Sequence, residues 1–403
     1  MLTIVVSRRD HQKFIMRIGI TCYPVYGGSG VVATELGRAL ATRGHEIHFI
    51  AYSLPFRLSE VTENIYFHEV SVNRYPLFDF PPYALSLTSK MVDVAKYEAL
   101  DLLHVHYAIP HATSAVLARD ILEKESRSLP VVTTLHGTDI TIVGQDASYS
   151  PVVNYSINAS DGVTAVSNFL RQETYDAFDI EVPIKVIPNF IDTEHFRRLE
   201  KEHFRSAICA PGQKVVVHVS NFRRVKNVSH VVEVFHRILQ EGISAKLLLV
   251  GDGPDRSNVE QLTRDLGIQR AVRFLGKQDP VQEILSIADL FLLTSGSESF
   301  GLAPLEAMAC GVPVVCSDVG GLPELVEGSE AGFLCPLGDI QAFAKACIKV
   351  LTDDSLHAEM AQHAREYAVR HYDTHSIVAQ YEEYYEEIIA RTAAQNPKII
   401  VPE

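Results

Sequence analysis

Lys246-Leu247-Leu248-Leu249-Val250, closed by Gly251-Asp252-Gly253-Pro254, is the run whose reading decides the fold. A half-exposed strand alternates apolar and polar residues. A continuous apolar run bounded by turn residues suits a strand covered on both faces, as in a parallel sheet. Similar runs rich in β-branched residues are read near 17–22, 46–50, 65–69, 102–105, 130–134, 162–165 and 184–187. They return near 214–219, 246–250, 272–275, 289–293, 312–316 and 332–334. Each is followed by a helical pattern, and that alternation implies βαβ units. The expected fold is α/β, with two doubly wound Rossmann-like domains facing across a cleft.

The chain has 403 residues, which at roughly 150 residues per domain predicts two or three domains. Ile187-Pro188-Asn189-Phe190-Ile191-Asp192 interrupts the pattern, because proline and asparagine break regular structure. The expected division is therefore residues 16–188 and residues 189–373. A C-terminal segment, 374–403, follows, and its Glu- and Tyr-rich helix is expected to cross back to the first domain. Residues 1–15 begin apolar and then read Ser7-Arg8-Arg9-Asp10-His11. A secretory signal places its positive charge before the apolar core, so this stretch is read as an N-terminal extension, an alternative start or a poorly ordered tail.

Composition narrows the function. Hydrophobic residues make up 47% and charged residues 21%, the profile of a folded chain. The net charge of −14 argues against coating nucleic acid or an anionic membrane. No run of about 18 apolar residues offers a membrane span. Cys22, Cys209, Cys310, Cys316, Cys335 and Cys347 are scattered and form no Cys-x-x-Cys pair. That pattern predicts reduced, buried thiols in a cytoplasmic protein rather than a zinc or disulfide scaffold. His104 and His106 are expected to face opposite sides of their strand and suggest no metal site.

Four loops at the ends of strands carry the candidate chemistry. Gly27-Gly28-Ser29-Gly30 joins the first strand to a helix, where small residues and free amides suit a phosphate or carboxylate. Ser295-Gly296-Ser297-Glu298-Ser299-Phe300-Gly301-Leu302-Ala303-Pro304-Leu305-Glu306 follows the strand 289–293. Glu306 sits among small and apolar residues on a helix and can accept hydrogen bonds from a vicinal diol such as ribose. Glu298 lies in the loop before it, where it can meet sugar hydroxyls. Gly301 and Leu302 open the helix with amides suited to a diphosphate. Ser220-Asn221-Phe222-Arg223-Arg224-Val225-Lys226-Asn227 ends another strand and offers countercharge, arginine as a fork and lysine as a point charge. Leu275-Gly276-Lys277-Gln278-Asp279 ends a fourth, with backbone to read a base edge.

Together these motifs, in this order, resemble the retaining GT-B glycosyltransferases of the sucrose-synthase-like group (GT4), over residues 16 to about 392. Gly19-Ile20-Thr21-Cys22-Tyr23-Pro24, Pro55-Phe56-Arg57-Leu58, His104-Val105-His106-Tyr107-Ala108-Ile109-Pro110-His111 and Thr134-Leu135-His136-Gly137-Thr138-Asp139 narrow it. They are similar to family members of bacillithiol biosynthesis, which move GlcNAc from UDP-GlcNAc to the hydroxyl of L-malate. The resemblance implies that Arg223 and Lys226 clamp the diphosphate, and that Glu306 holds the ribose and Glu298 the donor sugar. It also implies a donor site drawing on Gly28, Asn221, Phe300, Gly301, Leu302 and backbone at Lys277, with His136 beside the sugar as donor or acceptor. Relatives often carry their arginine five residues before the lysine, where this chain has Asn221; Arg223 is the expected substitute, with Arg224 as the alternative. Acceptor candidates are Gly27, Ser29, Tyr107, Thr134, Arg57 and Lys90. No metal and no cofactor are expected; the partners are the two substrates, with no nucleic acid or membrane, and a homodimer is allowed.

Three rival readings share these motifs. One is a related transferase with an inositol phosphate, lipid or glycan acceptor. Another is a UDP-sugar 2-epimerase, which would need acid–base carboxylates at the sugar and no acceptor. The last is a nucleotide-sugar sensor without turnover.

Overall fold

A computed structural model describes residues 15–24, 27–58, 62–72, 79–279 and 281–395. Of the proposed extension only Ile15 is among them, and residues 396–403 of the C-terminal segment lie outside them too. Among the described residues, β1 (Arg17–Thr21), β2 (Glu46–Ala51), β3 (Ile65–Glu69), β4 (Leu102–His106), β5 (Val131–Leu135), β6 (Gly162–Ala165) and β7 (Ile184–Val186) form one sheet. Its order is β3-β2-β1-β4-β5-β6-β7, and every pairing is parallel. β8 (Lys214–Val219), β9 (Ala245–Val250), β10 (Val272–Gly276), β11 (Leu290–Leu293), β12 (Val314–Ser317) and β13 (Gly332–Cys335) form a second parallel sheet, ordered β10-β9-β8-β11-β12-β13. The continuous apolar runs thus became covered strands: β5 is buried at all five positions and β9 at five of six.

Each sheet reverses its winding once, between β1 and β4 and between β8 and β11. Ligands bind beyond the carboxyl ends of the strands at such switch points. The Gly27–Gly30 loop and Tyr107 follow β1 and β4; the Asn221–Lys226 turn and the Glu298 loop follow β8 and β11.

The final helix, Thr374–Gln395, packs on the first sheet. Tyr381, Tyr385 and Ile388 share a core with Ile18, Ile20 and Phe49. Burying side chains of this size contributes about 1.5–3 kcal/mol each. Tyr385 Oη pairs with His104 Nδ1 at 2.7 Å, and Val163 N–H donates to Tyr384 Oη at 3.0 Å. The chain crosses between the sheets twice, side by side: Ile191 N–H donates to Tyr372 O and Thr374 N–H to Ile191 O, both at 3.0 Å.

Two readings of strand residues need correction. His104 and His106 share one face, with ring centroids 4.5 Å apart, because residues two apart on a strand point the same way. Thr134 does not reach the cleft. It is fully buried, and its hydroxyl pairs with His104 Nε2 at 2.7 Å and Thr164 Oγ1 at 2.6 Å.

Candidate functional site

The cation turn and the glutamate loop meet. Lys226 ends a short helical turn, Arg224–Lys226, and its ammonium donates to Glu298 Oε1 at 2.5 Å. Ser295 Oγ donates to the same oxygen at 2.8 Å. Both charged side chains remain partly exposed, so neither is sealed from a ligand. The helix Leu302–Ala309 begins directly after, with Gly301 at φ 107° as its N-cap and, among the described residues, no side chain capping its first turn. Its leading amides are therefore open to an anion. A Cβ on Gly301 would lie 2.7 Å from Leu322 Cδ2, so packing as well as backbone conformation demands glycine there.

Arg223 and Asn221 are exposed on the same turn. Arg223 carries enough field across the cleft to act on Tyr107, whose phenol burial pushes up to about 12. Tyr107 Oη pairs with Ser29 Oγ at 2.7 Å. Ser29 lies in the first turn of the helix Gly28–Thr42, which no side chain caps among the described residues. The two walls thus face each other: open amides and hydroxyls on one side, cations on the other. Leu302 approaches Gly28 so closely that a Cβ there would sit 3.3 Å from its Cδ1.

Glu306 lies further along its helix and lines a cavity of about 400 Å³ with Leu302, Arg57, Asp279, Glu35 and Phe190. Burial raises its carboxyl to about 7; Arg57 opposes that shift and Asp279 adds to it. Arg57 adopts φ 69° and reaches Asp279 at 3.4 Å and Glu35 at 3.7 Å, tying the two domains across this end of the cleft. Arg57 therefore stands with Glu306, and neither Ser29 nor Tyr107 lines its cavity.

The structure separates two further candidates from this set. Phe300 is buried and packs edge-on against Tyr372, ring centroids 5.5 Å apart, so its side chain belongs to the core. Lys90 lies midway along the helix Tyr83–Tyr97, and its charge acts on His68 of the outer strand β3. Lys277 is exposed directly after Gly276, the last residue of β10. Among the described residues, the His/Glu cluster with metal-compatible spacing is His48, His68 and Glu98, on that outer edge and away from the cleft.

His136 follows β5 and is partly exposed; burial lowers its imidazole to about 3, keeping it neutral at physiological pH. Its loop is held from beneath by Asp139, which accepts Gly137 N–H at 2.9 Å and Ala108 N–H at 3.0 Å. Asp139 stands in the Thr134–Asp139 motif without an assigned role, although aspartate side chains commonly bond backbone groups close by in sequence. Gly137 has φ 117°, and a Cβ there would fall 1.7 Å from Ser299 Oγ in the glutamate loop. Ser167 Oγ donates to Ser299 O at 2.6 Å, and Glu324 accepts Phe169 N–H at 2.6 Å, so the domains are joined here as well. Gly137→Ala is expected to lose about 2 kcal/mol or more of stability from strain and clash, read as a lower urea midpoint at unchanged slope.

Known proteins share this architecture. Residues 26–195 match the Glycosyltransferase Family 4 model and residues 200–367 match that of Glycosyl transferases group 1. The chain is 50% identical over 379 residues to N-acetyl-alpha-D-glucosaminyl L-malate synthase of Bacillus anthracis, covering 93% of this chain and 97% of the relative. This protein belongs to the family 4 glycosyltransferases. A D-inositol 3-phosphate glycosyltransferase of Corynebacterium urealyticum is 29% identical to this glycosyltransferase, over 73% of each chain. Sucrose-phosphate synthase of Thermosynechococcus elongatus superposes with TM-score 0.78 at 21% identity, covering 93% of this glycosyltransferase and all of that chain. HepE of Anabaena, solved with UDP and glucose, gives TM-score 0.78 at 22% identity, over 92% and 99%. The fold is GT-B. No described helix of this glycosyltransferase is long and apolar enough to cross a membrane.

Proposed function

We propose that this glycosyltransferase moves GlcNAc from UDP-GlcNAc to the hydroxyl of L-malate, with retention at the anomeric carbon, as a step in bacillithiol biosynthesis. The observation that carries the choice of substrates is the 50% identity, over nearly the whole of both chains, to a relative named for that product. The site chemistry fits it. The diphosphate lies between Lys226, Arg223 and the open amides at Gly301 and Leu302; the ribose diol meets Glu306, and Glu298 meets the sugar hydroxyls. Uracil reads backbone at Lys277. L-Malate, a dianion, takes the amides of Gly27–Ser29 and the Tyr107 hydroxyl on the opposite wall.

As the bond from C1 to the UDP oxygen breaks, negative charge builds on the leaving phosphate, and the two cations and the helix dipole stabilise it without reorganising. The malate hydroxyl attacks from the same face. Its oxygen bonds to C1, and its proton passes to the leaving phosphate oxygen. Six free, buried thiols suit the reducing cytoplasm. Pure enzyme with UDP-GlcNAc is expected to release UDP when L-malate is added and not before. UDP release without malate, with sugar isomerisation, would favour an epimerase; release only with inositol phosphate or a glycan would move the acceptor.

A further inference from the structure

One histidine beneath the first-domain wall, His106, fixes which proton His136 offers. His111 Nδ1 lies 2.6 Å from the carbonyl oxygen of His106. A carbonyl only accepts, so His111 carries its proton on Nδ1 and leaves Nε2 as a lone pair. His106 Nδ1 lies 2.8 Å from His136 Nε2, with the two ring planes within 25° of each other. His106 Nε2 is buried and has no hydrogen-bond partner among the described residues.

Two arrangements of neutral rings satisfy the His106–His136 contact. If His136 donates from Nε2, His106 must carry its own proton on Nε2, where a buried N–H stays unpaired. If His106 donates from Nδ1, its Nε2 is left only as an unpaired lone pair. Orphaned buried N–H groups are the rarer of the two, because an unused donor forfeits its hydrogen bond to water outright. The second arrangement therefore holds. It puts the remaining proton of His136 on Nδ1, the ring nitrogen with no partner among the described residues. Burial keeps His106 far below its usual range and so removes the doubly protonated alternative.

We infer that His106 is a positioning residue: by donating to Nε2 it locks His136 as an Nδ1–H donor, able to give a hydrogen bond to a substrate oxygen and unable to accept its proton. What that donor meets rests on the proposed function; the tautomer stands on the geometry alone. Imidazole nitrogen-15 spectra of the labelled, ligand-free enzyme near neutral pH test it directly. They are expected to show His136 with Nδ1 protonated and Nε2 bare; a proton on Nε2 overturns the inference. Two variants add a functional readout. His106→Asn keeps an N–H near the Nδ1 position, whereas His106→Leu does not. The leucine variant is expected to lose about tenfold or more in kcat relative to asparagine, with little change in KM for UDP-GlcNAc, as for one lost hydrogen bond. Equal kcat values in the two folded variants would overturn the positioning role. Should the leucine variant not fold, the spectrum of the unsubstituted enzyme decides. The expected tautomer without turnover on malate would leave this inference standing and sink the assignment of substrates instead.

Discussion

Lys226→Ala is expected to lower turnover by about 10²–10³-fold, the cost typical of removing one preorganised group from a developing anion. The lysine is held at 2.5 Å from Glu298, so a protein partner fixes the placement of its charge. Its removal also frees Glu298, whose remaining partner is Ser295, to repel the incoming diphosphate. Folding changes little, because both partners of the pair are partly exposed and the unpaired carboxylate can turn to water. Measured kcat should therefore collapse while the urea midpoint stays near that of the unsubstituted protein. A variant with normal turnover would refute the clamp.

Glu306→Gln should act in opposite directions on donor binding and on stability. The carboxylate accepts two hydroxyl hydrogen bonds from ribose and glutamine only one well, so affinity for UDP-sugars should fall by about 1–3 kcal/mol. The free enzyme behaves otherwise. Burial raises this carboxyl from 4.5 to about 7, with Arg57 opposing and Asp279 adding. Between those values the folded state holds a proton that the unfolded chain has released, so stability falls as pH rises through that window. The glutamine variant is spared that loss. Its unfolding midpoint should exceed that of the unsubstituted protein at pH 8, and the gap should close by about pH 4. Since Glu306 borders an open cavity and solvent screens it, the gain should be about 1 kcal/mol. Calorimetry at the two pH values, with UDP titrations alongside, measures both effects; unchanged donor affinity would remove Glu306 from the site.

The fold was legible because the inner strands of each sheet are covered on both faces. Runs such as Lys246–Val250 and Val131–Leu135 have no polar alternation to mislead, and the structure places strands within two residues of each reading. The same double coverage hid side-chain direction. In β5, buried at every position, nothing in sequence tells whether Thr134 faces a core hydroxyl network or the cleft; Tyr385, more than two hundred residues away, decides it by filling the space beside His104. Phe300 sits in a loop of small polar residues, yet it joins a core to which distant elements contribute, Tyr372 among them. The pairing of Lys226 with Glu298 and the approach of Ser29 to Tyr107 follow from strand order: loops 72 and 78 residues apart become neighbours because β8 lies beside β11 and β1 beside β4. The ties of Arg57 to Asp279 and of Gly137 to Ser299 join different domains, and no local spacing announces them.

The docking of Thr374–Gln395 beside Ile18 and Phe49 has a consequence for how the protein is made. A ribosome delivers the first Rossmann unit early, yet six side chains that complete its interior, Ile377, Val378, Tyr381, Tyr384, Tyr385 and Ile388, are made only after the whole second sheet. Until then the face of the first sheet that these side chains cover stays bare on the nascent chain. The interior of the first unit is thus completed only once the second sheet has been translated.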